Sequence, residues 1–246
     1  MALGHKEVTM SRSIILTLAL SLHGALYATT CAVAAFGGLH VPPCERAVCS
    51  DIAKLKARAA AGHAAAQYQL ACRFMSGKGV AKDTALAAAW ARKSAEQGWG
   101  DAQYLMGLFH DAGDGVRKDH VAAVAWYRKA AGQKVTGAMN SLGVSLQRGR
   151  GVRKNLRVAL GWFRKAAELG DHHAQVNLGA ALFNGTGTAK APVLAYAWTL
   201  LGCEKLEFGK KNLRIMAKTL RPSEIKRARK LASRLRKQIA YRTKPR

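Results

Sequence analysis

The same residue types return along this chain every 36 residues, and this period constrains the fold more than any other feature. Alanine, leucine or methionine, glycine and tryptophan positions all keep the same step. The Gly-x-Gly pairs are Gly77/Gly79, Gly113/Gly115, Gly149/Gly151 and Gly185/Gly187, and the tryptophans are Trp90, Trp126, Trp162 and Trp198. Because independent markers share one register, the sequence predicts four copies of one structural unit.

Each unit has the pattern of two helices joined by a tight turn. In the second copy, Met106 and Phe109 follow helical spacing, and Gly113 can adopt the positive φ that ends a helix. Asp119 then stands at a helix N-cap position. Gly107 returns in later copies, and glycine inside a helix costs about 1 kcal/mol relative to alanine. Its recurrence therefore predicts that a neighbouring helix approaches closely there.

Stacking of these units is the expected architecture. One helical hairpin cannot bury its own apolar stripe, whereas stacked copies can, so the repetition predicts an all-α superhelical solenoid. A simple helical bundle is the alternative, and the regular period argues against it.

The repeated pattern reads A-x-x-x-L/M-G, then G-x-G-V-x-K-D/N, then A-x-x-W-Y/F-x-K-A-A, and it resembles the Sel1-like repeat, a relative of the tetratricopeptide repeat. The resemblance covers roughly residues 60–205. It implies a right-handed α-solenoid of about four 36-residue helix-turn-helix repeats with helical caps at both ends. The last copy departs from the pattern at Thr188, at Ala191 and in the string "WTLLGC", as terminal repeats that close a stack tend to do.

The chain divides into five predicted segments. They are a signal peptide over residues 1–34, a linker over 35–50, an N-terminal capping helix over 51–62, four repeats over 63–208, and basic C-terminal capping helices with a tail over 209–246.

The N-terminal segment predicts export. Lys6 and Arg12 precede a short apolar run, and Ala32 and Ala34 have the spacing that a signal peptidase requires. We expect a periplasmic or secreted protein, whether Met1 or Met10 is the start. An uncleaved inner-membrane anchor is the alternative, because residues 14–36 are long enough to span a bilayer.

Four of the five cysteines would remain after cleavage of such a signal peptide, in an oxidising compartment. The capping helix and the helix after it should form an antiparallel hairpin, which brings Cys49 and Cys72 to similar heights. A Cys49–Cys72 disulfide is therefore a candidate. A Cys44–Cys49 bridge and free thiols are the alternatives.

The first helices of the repeats are the expected binding surface, because the resemblance implies that they line a concave groove. Side chains opposite their core stripe vary between units, which fits a recognition surface and also fits unconstrained solvent positions. The tyrosines and Leu108 favour binding. The candidate groove residues are Tyr68, Tyr104, Leu108, Asp111, Asn140, Val144, Gln147, Val176 and Phe183.

Positive charge is the second strong feature of the composition. The chain has 40 Lys and Arg against 14 Asp and Glu, and residues 210–246 alone hold 15 basic residues and one acidic residue. After Pro222 an amphipathic helix is predicted, whose basic face either contacts an anionic surface or is merely solvated. The candidate contacts with an anionic membrane or envelope polymer are Lys226, Arg227, Arg229, Lys230, Arg234, Arg236 and Lys237. Few aromatic residues are interleaved with them, which disfavours single-stranded nucleic acid as a partner.

These features predict a non-enzymatic scaffold or adaptor of the cell envelope that binds a protein or peptide, without catalytic residues, a metal, a cofactor or a small-molecule substrate. The densest group of potential metal ligands is His110, Asp111, Asp114, Asp119 and His120, but Asp119 is expected to cap a helix. Two alternatives remain open. One is a charge-driven binder of nucleic acid or an anionic envelope polymer, and the other is a cell-wall or β-lactam hydrolase, an activity attributed to some disulfide-rich relatives.

Overall fold

A computed structural model describes residues 52–244, which lie in the second of the two units into which the chain divides (Pro43–Arg246). These residues form helices and no strands. The helices are α1 (Ile52–Ala60), α2 (Ala64–Ser76), α3 (Thr84–Glu96), α4 (Gly100–Ala112), α5 (His120–Gly132), α6 (Thr136–Arg148), α7 (Leu156–Glu168), α8 (His172–Asn184), α9 (Pro192–Gly202), α10 (Glu207–Ala217) and α11 (Pro222–Arg242). None of them is long and apolar enough to cross a membrane. The predicted signal peptide, the linker and Cys49 lie outside the described residues.

The helices pair and stack as the repeat predicts. In each repeat the first helix (α2, α4, α6 or α8) packs on the second helix (α3, α5, α7 or α9). The second helices α3, α5 and α7 then each pack on the first helix of the next repeat, and α1 packs on α2 at the N-terminal end. The all-α solenoid is therefore confirmed.

The turn inside each repeat has the predicted chemistry. Gly113 ends α4 with φ 85°, in the left-handed region, and its N–H donates to the carbonyl oxygen of Phe109. The Asp119 carboxylate begins α5 by accepting hydrogen bonds from the backbone N–H groups of Val121 and Ala122. The fourth repeat lacks such a cap, because Ala191 precedes α9, and Pro192 instead begins that helix.

Small and large residues face each other between the two helices of a repeat. Gly107 lies against the ring of Tyr127, and a Cβ atom at Gly143 would stand only 2.6 Å from Phe163 Cε1. Both aromatic side chains are fully buried. The close approach predicted from the recurring glycine is therefore confirmed. In these second helices the buried aromatic residue is the one that follows the tryptophan in sequence, whereas Trp126 itself is partly exposed.

The turns also hold neighbouring repeats together. Gly151, the second glycine of its turn, has φ 64° and lies against the carbonyl group of His120, the first residue of the preceding second helix. A Cβ atom there would overlap that carbonyl, so only glycine fits. Gly115 and Gly187 make the equivalent contacts with Thr84 and Leu156.

The C-terminal helices close the stack by packing on α9. Helix α11, predicted to be amphipathic, buries Ala228 and Ala232. Helix α9 buries Ala197, Trp198 and Leu201.

Candidate functional site

The face formed by the first helices α4, α6 and α8 contains most of the predicted groove residues, and we call it the A face. Six of the nine candidates are partly exposed on this face, and these are Tyr104, Asp111, Asn140, Val144, Gln147 and Phe183.

Three groove candidates are buried, which corrects the prediction that they face a partner. Tyr68 and Leu108 are each 6% exposed, and Val176 is 1% exposed. Val176 lies under the start of α10, because a Cβ atom at Gly209 would stand 3.1 Å from its Cγ2 atom. A wheel drawn for one helix does not include such neighbours, so α10 was not expected to cover this end of the A face.

Direct contacts between neighbouring first helices fix part of the A face. The Tyr104 ring packs on Gly137 of α6, and its hydroxyl group forms a hydrogen bond with Ser141. Burial raises the pKa of Tyr104 to about 12, and the bond to Ser141 offsets part of that rise. Asn177 Nδ2 of α8 donates to Asn140 Oδ1 of α6 at 2.9 Å. The partly exposed tyrosine and asparagine therefore use polar atoms to hold repeats together.

The predicted ligand cluster separates into groups with different contacts. His120 Nδ1 donates to Asp111 Oδ1 at 2.7 Å, and these side chains are 33% and 39% exposed. Asp119 caps α5, and the N–H group of Ala122 lowers the pKa of its carboxyl group. His110 Nδ1 is buried without a hydrogen-bond partner among the described residues. The pair of His120 and Asp111 links the start of α5 to the end of α4.

The accessible part of the A face is a strip at the C-terminal halves of its helices, formed by Asp111, Val144, Gln147 and Phe183. We call it the A-face strip. It combines a carboxylate, an aliphatic side chain, an amide and an aromatic ring. Such a mixture can bind a polypeptide through apolar contacts and hydrogen bonds.

The predicted basic contacts of α11 are all exposed or partly exposed. Among them, Arg236 forms an ion pair with Glu204, and at the end of the helix Arg242 Nη1 contacts Glu168 Oε2 at 2.6 Å. Ala228 and Ala232 of α11 are buried, whereas its larger apolar side chains are partly exposed beside the basic ones. Any anionic partner would meet its charged face.

Charge is distributed unequally between the two kinds of helix. The second helices α3, α5 and α7 contain seven Lys or Arg residues and two Glu, whereas the four first helices contain two basic and two acidic residues. Each of these second helices also carries a lysine over its tryptophan ring. The pairs are Lys93 over Trp90 at 4.5 Å, Lys129 over Trp126 at 4.4 Å and Lys165 over Trp162 at 4.8 Å. The spacing W-x-x-K at each 36-residue step could have revealed this row, which the sequence reasoning missed.

The described cysteines are both buried. Cys72 lies inside α2, and its pairing with Cys49 stays a prediction because Cys49 lies outside the described residues. Burial raises the pKa of the Cys203 thiol after α9, which disfavours the reactive thiolate form.

Comparisons with known proteins agree with this geometry. Among solved structures, the chain is similar to a Sel1 repeat protein from Oxalobacter formigenes, with 38% identity, 63% of each chain covered and a TM-score of 0.56. It is also similar to c5321, a protective antigen of uropathogenic Escherichia coli strains with an SLR fold, with 30% identity and a TM-score of 0.53. That match covers 77% of this chain and 49% of the antigen. The chain thus spans less than two thirds of either protein. Comparison with curated protein sequences gave no significant match.

The family assignment rests on the repeats themselves. The family model of the Sel1 repeat matches four consecutive stretches, residues 64–99, 100–134, 136–171 and 172–205. Each stretch contains one first helix, its glycine turn and one second helix. With the register, the turns and the stacking all in agreement, this chain belongs to the Sel1 repeat family.

Proposed function

We propose that this protein is a scaffold that binds a protein or peptide partner on the A-face strip. Sel1 repeat proteins generally act as protein-interaction scaffolds. The observation that carries the proposal is the partial exposure of Val144, Gln147 and Phe183, beside the Asp111 carboxylate that His120 holds in place. These four side chains differ in chemistry between repeats that otherwise keep their packing residues, which fits a specific binding surface.

A photo-crosslinking experiment tests this proposal. A photoreactive phenylalanine at Gln147, in the chain expressed in its native cells, should capture one partner. The matched control carries the same residue at Gly132, an exposed helical position where a Cβ atom would meet no other atom within 4 Å. Capture of the same partner at Gln147 but not at Gly132 supports the A-face strip. Equal capture at both positions, or none at Gln147, contradicts it.

The proposal includes a location in the cell envelope and a contact between α11 and an anionic membrane or envelope polymer. The export pattern in residues 1–34 and the exposed basic face of α11 support it. Intact-mass measurement of exported protein tests the processing. A contact driven by charge should weaken steeply as salt rises, whereas a partner on the A-face strip should remain bound.

We further propose that the protein binds rather than catalyses. The hydrolase alternative would need a proton-transferring pair, and Asp111 with His120 is the nearest candidate geometry. The test is to measure turnover of peptidoglycan or a β-lactam by the wild type and by the double variant Asp111→Asn, His120→Gln. A lower turnover in the variant, with an unchanged melting temperature, would favour the hydrolase.

A further inference from the structure

The outer side of the second helices differs between the last repeat and the others. In α9, Ala197 is fully buried, Trp198 is 5% exposed and Leu201 is 4% exposed. One repeat earlier, the equivalent positions in α7 are the exposed Gly161, the partly exposed Trp162 and the exposed Lys165. The difference arises because α9 alone among the second helices also carries α10 and α11.

The same side of α3, α5 and α7 is therefore open, and we call it the B face. Large apolar side chains lie near the start of each helix. They are Leu86 and Val158, at the same position of their repeats, and Val121, one residue before that position in α5, with exposed fractions of 45%, 44% and 67%. One turn further along, each helix has a small exposed residue, and these are Ala89, Ala125 and Gly161. The B face thus carries an apolar row beside a row of small residues that allows a close approach.

Basic residues flank this apolar surface. Each of the three helices has an exposed Arg-Lys pair near its C-terminal end, and the pairs are Arg92/Lys93, Arg128/Lys129 and Arg164/Lys165. The acidic residues of these helices are Glu96 and Glu168, at the last position of α3 and of α7. Glu168 is already bound to Arg242. The B face is therefore apolar at its centre and cationic along its edge.

Helix α11 indicates what kind of element this face accommodates. It packs on α9 through a stripe that includes Ala228 and Ala232. At the position where α3, α5 and α7 carry a lysine, α9 carries Leu201. The second helix that is covered by α11 therefore has an apolar side chain at this position, whereas the three uncovered second helices have a charged one.

We propose that the B face of α3, α5 and α7 binds an amphipathic α-helix of another protein, whose apolar stripe is flanked by Asp or Glu. The packing of α11 on α9 supports a helix as the occupant, and the Arg-Lys pairs select acidic flanks by charge complementarity. The α11 helix of a second copy does not fit, because its eight Lys or Arg residues against one Glu would be repelled. This proposal is independent of the A-face strip.

The probe for this inference is a synthetic peptide with the sequence of α11 in which glutamate replaces every lysine and arginine. We expect it to bind the full chain, and crosslinks should map to α3, α5 and α7. The double variant Val121→Glu, Val158→Glu should weaken binding by about tenfold or more, since it places charge in the apolar row. Both side chains are well exposed, so the variant should keep the melting temperature of the wild type.

Three controls make the outcome decisive. Val144→Glu on the A face should leave the peptide affinity unchanged. A scrambled peptide of the same composition should not bind, because its apolar residues no longer form a stripe. Anionic lipid vesicles serve as the third probe. If the acidic peptide does not bind, if the scrambled peptide binds equally, or if only the vesicles depend on Val121 and Val158, the proposal is overturned.

Discussion

Lys134 is the one non-glycine residue with a positive φ (64°) among residues 52–244. It lies in the turn between α5 and α6, where the corresponding turns have Gly62, Gly98 and Gly170 with φ of 95°, 91° and 89°. The left-handed conformation costs a residue with a Cβ atom about 1–2 kcal/mol. The turn between α5 and α6 therefore contains local strain that its equivalents lack.

We expect Lys134→Gly to stabilise the protein by about 0.5–1 kcal/mol, since relief of this strain exceeds the added entropy of the unfolded chain. Urea unfolding measures the change. The reciprocal control is Gly98→Ala, which should lower the free energy of unfolding by about 1 kcal/mol through its unfavourable φ. No steric overlap adds to this loss, because a Cβ atom at Gly98 would meet no atom within 4 Å. A stabilising Gly98→Ala would contradict the account of both positions.

Asp119 makes part of the stability dependent on pH. Its pKa is lowered in the folded protein, and the largest cause is the hydrogen bond from the Ala122 N–H group. Its stabilising effect is therefore complete above the unfolded pKa of about 4 and is lost as pH falls through the lower folded value. Asp119→Asn keeps a capping oxygen that does not titrate. The melting temperature of the wild type relative to this variant should decrease as the pH falls below about 5, and a constant difference would rule the cap out as the cause.

Residue roles that depend on a few neighbours along the chain could be predicted from the sequence. Asp119 caps its helix as expected, and Asp83 and Asn155 cap the equivalent helices, because an N-cap needs only the next three residues. The burial of Leu108 and Val176 could not be predicted in this way. It depends on other helices that pack over them, and the sequence period does not give those contacts.

At the scale of elements, the turn of each repeat is also a contact with the repeat before it. Gly151→Ala should cost about 2–4 kcal/mol, because the new Cβ atom combines an unfavourable φ with an overlap on the His120 carbonyl. Urea unfolding measures this loss against Gly98→Ala, where only the unfavourable φ acts. Equal losses for the two variants would show that the contact between repeats contributes nothing.

The arrangement of elements was largely predictable within the repeats and less so at their C-terminal end. The 36-residue period fixed the order of helices and turns, since each unit repeats the same local signals. The string "WTLLGC" was expected to be atypical, and the burial of Trp198 and Leu201 now explains it. Where α10 and α11 pack could not be derived, because no repeat provides a template for them.

At the scale of the whole molecule, α11 protects the end of the stack. A chain that ends at Leu220 should expose Trp198 and Leu201, and full exposure of one large apolar side chain costs about 1.5–3 kcal/mol. We expect a lower melting temperature, a red-shifted tryptophan emission and binding of a hydrophobic dye. A chain that ends at Arg242 is the matched control and should behave as the wild type. An unchanged melting temperature in the shorter chain would show that α11 does not protect α9.

The unequal charge of the first and second helices has a consequence for how the molecule meets its surroundings. Because positive charge is concentrated on α11 and the second helices, we expect the field near an anionic surface to exert a torque on the protein before contact. The protein would arrive with α11 and the second helices leading. The first helices would then point into the bulk solution, where a diffusing macromolecule can reach them without competing with the surface for the same side chains.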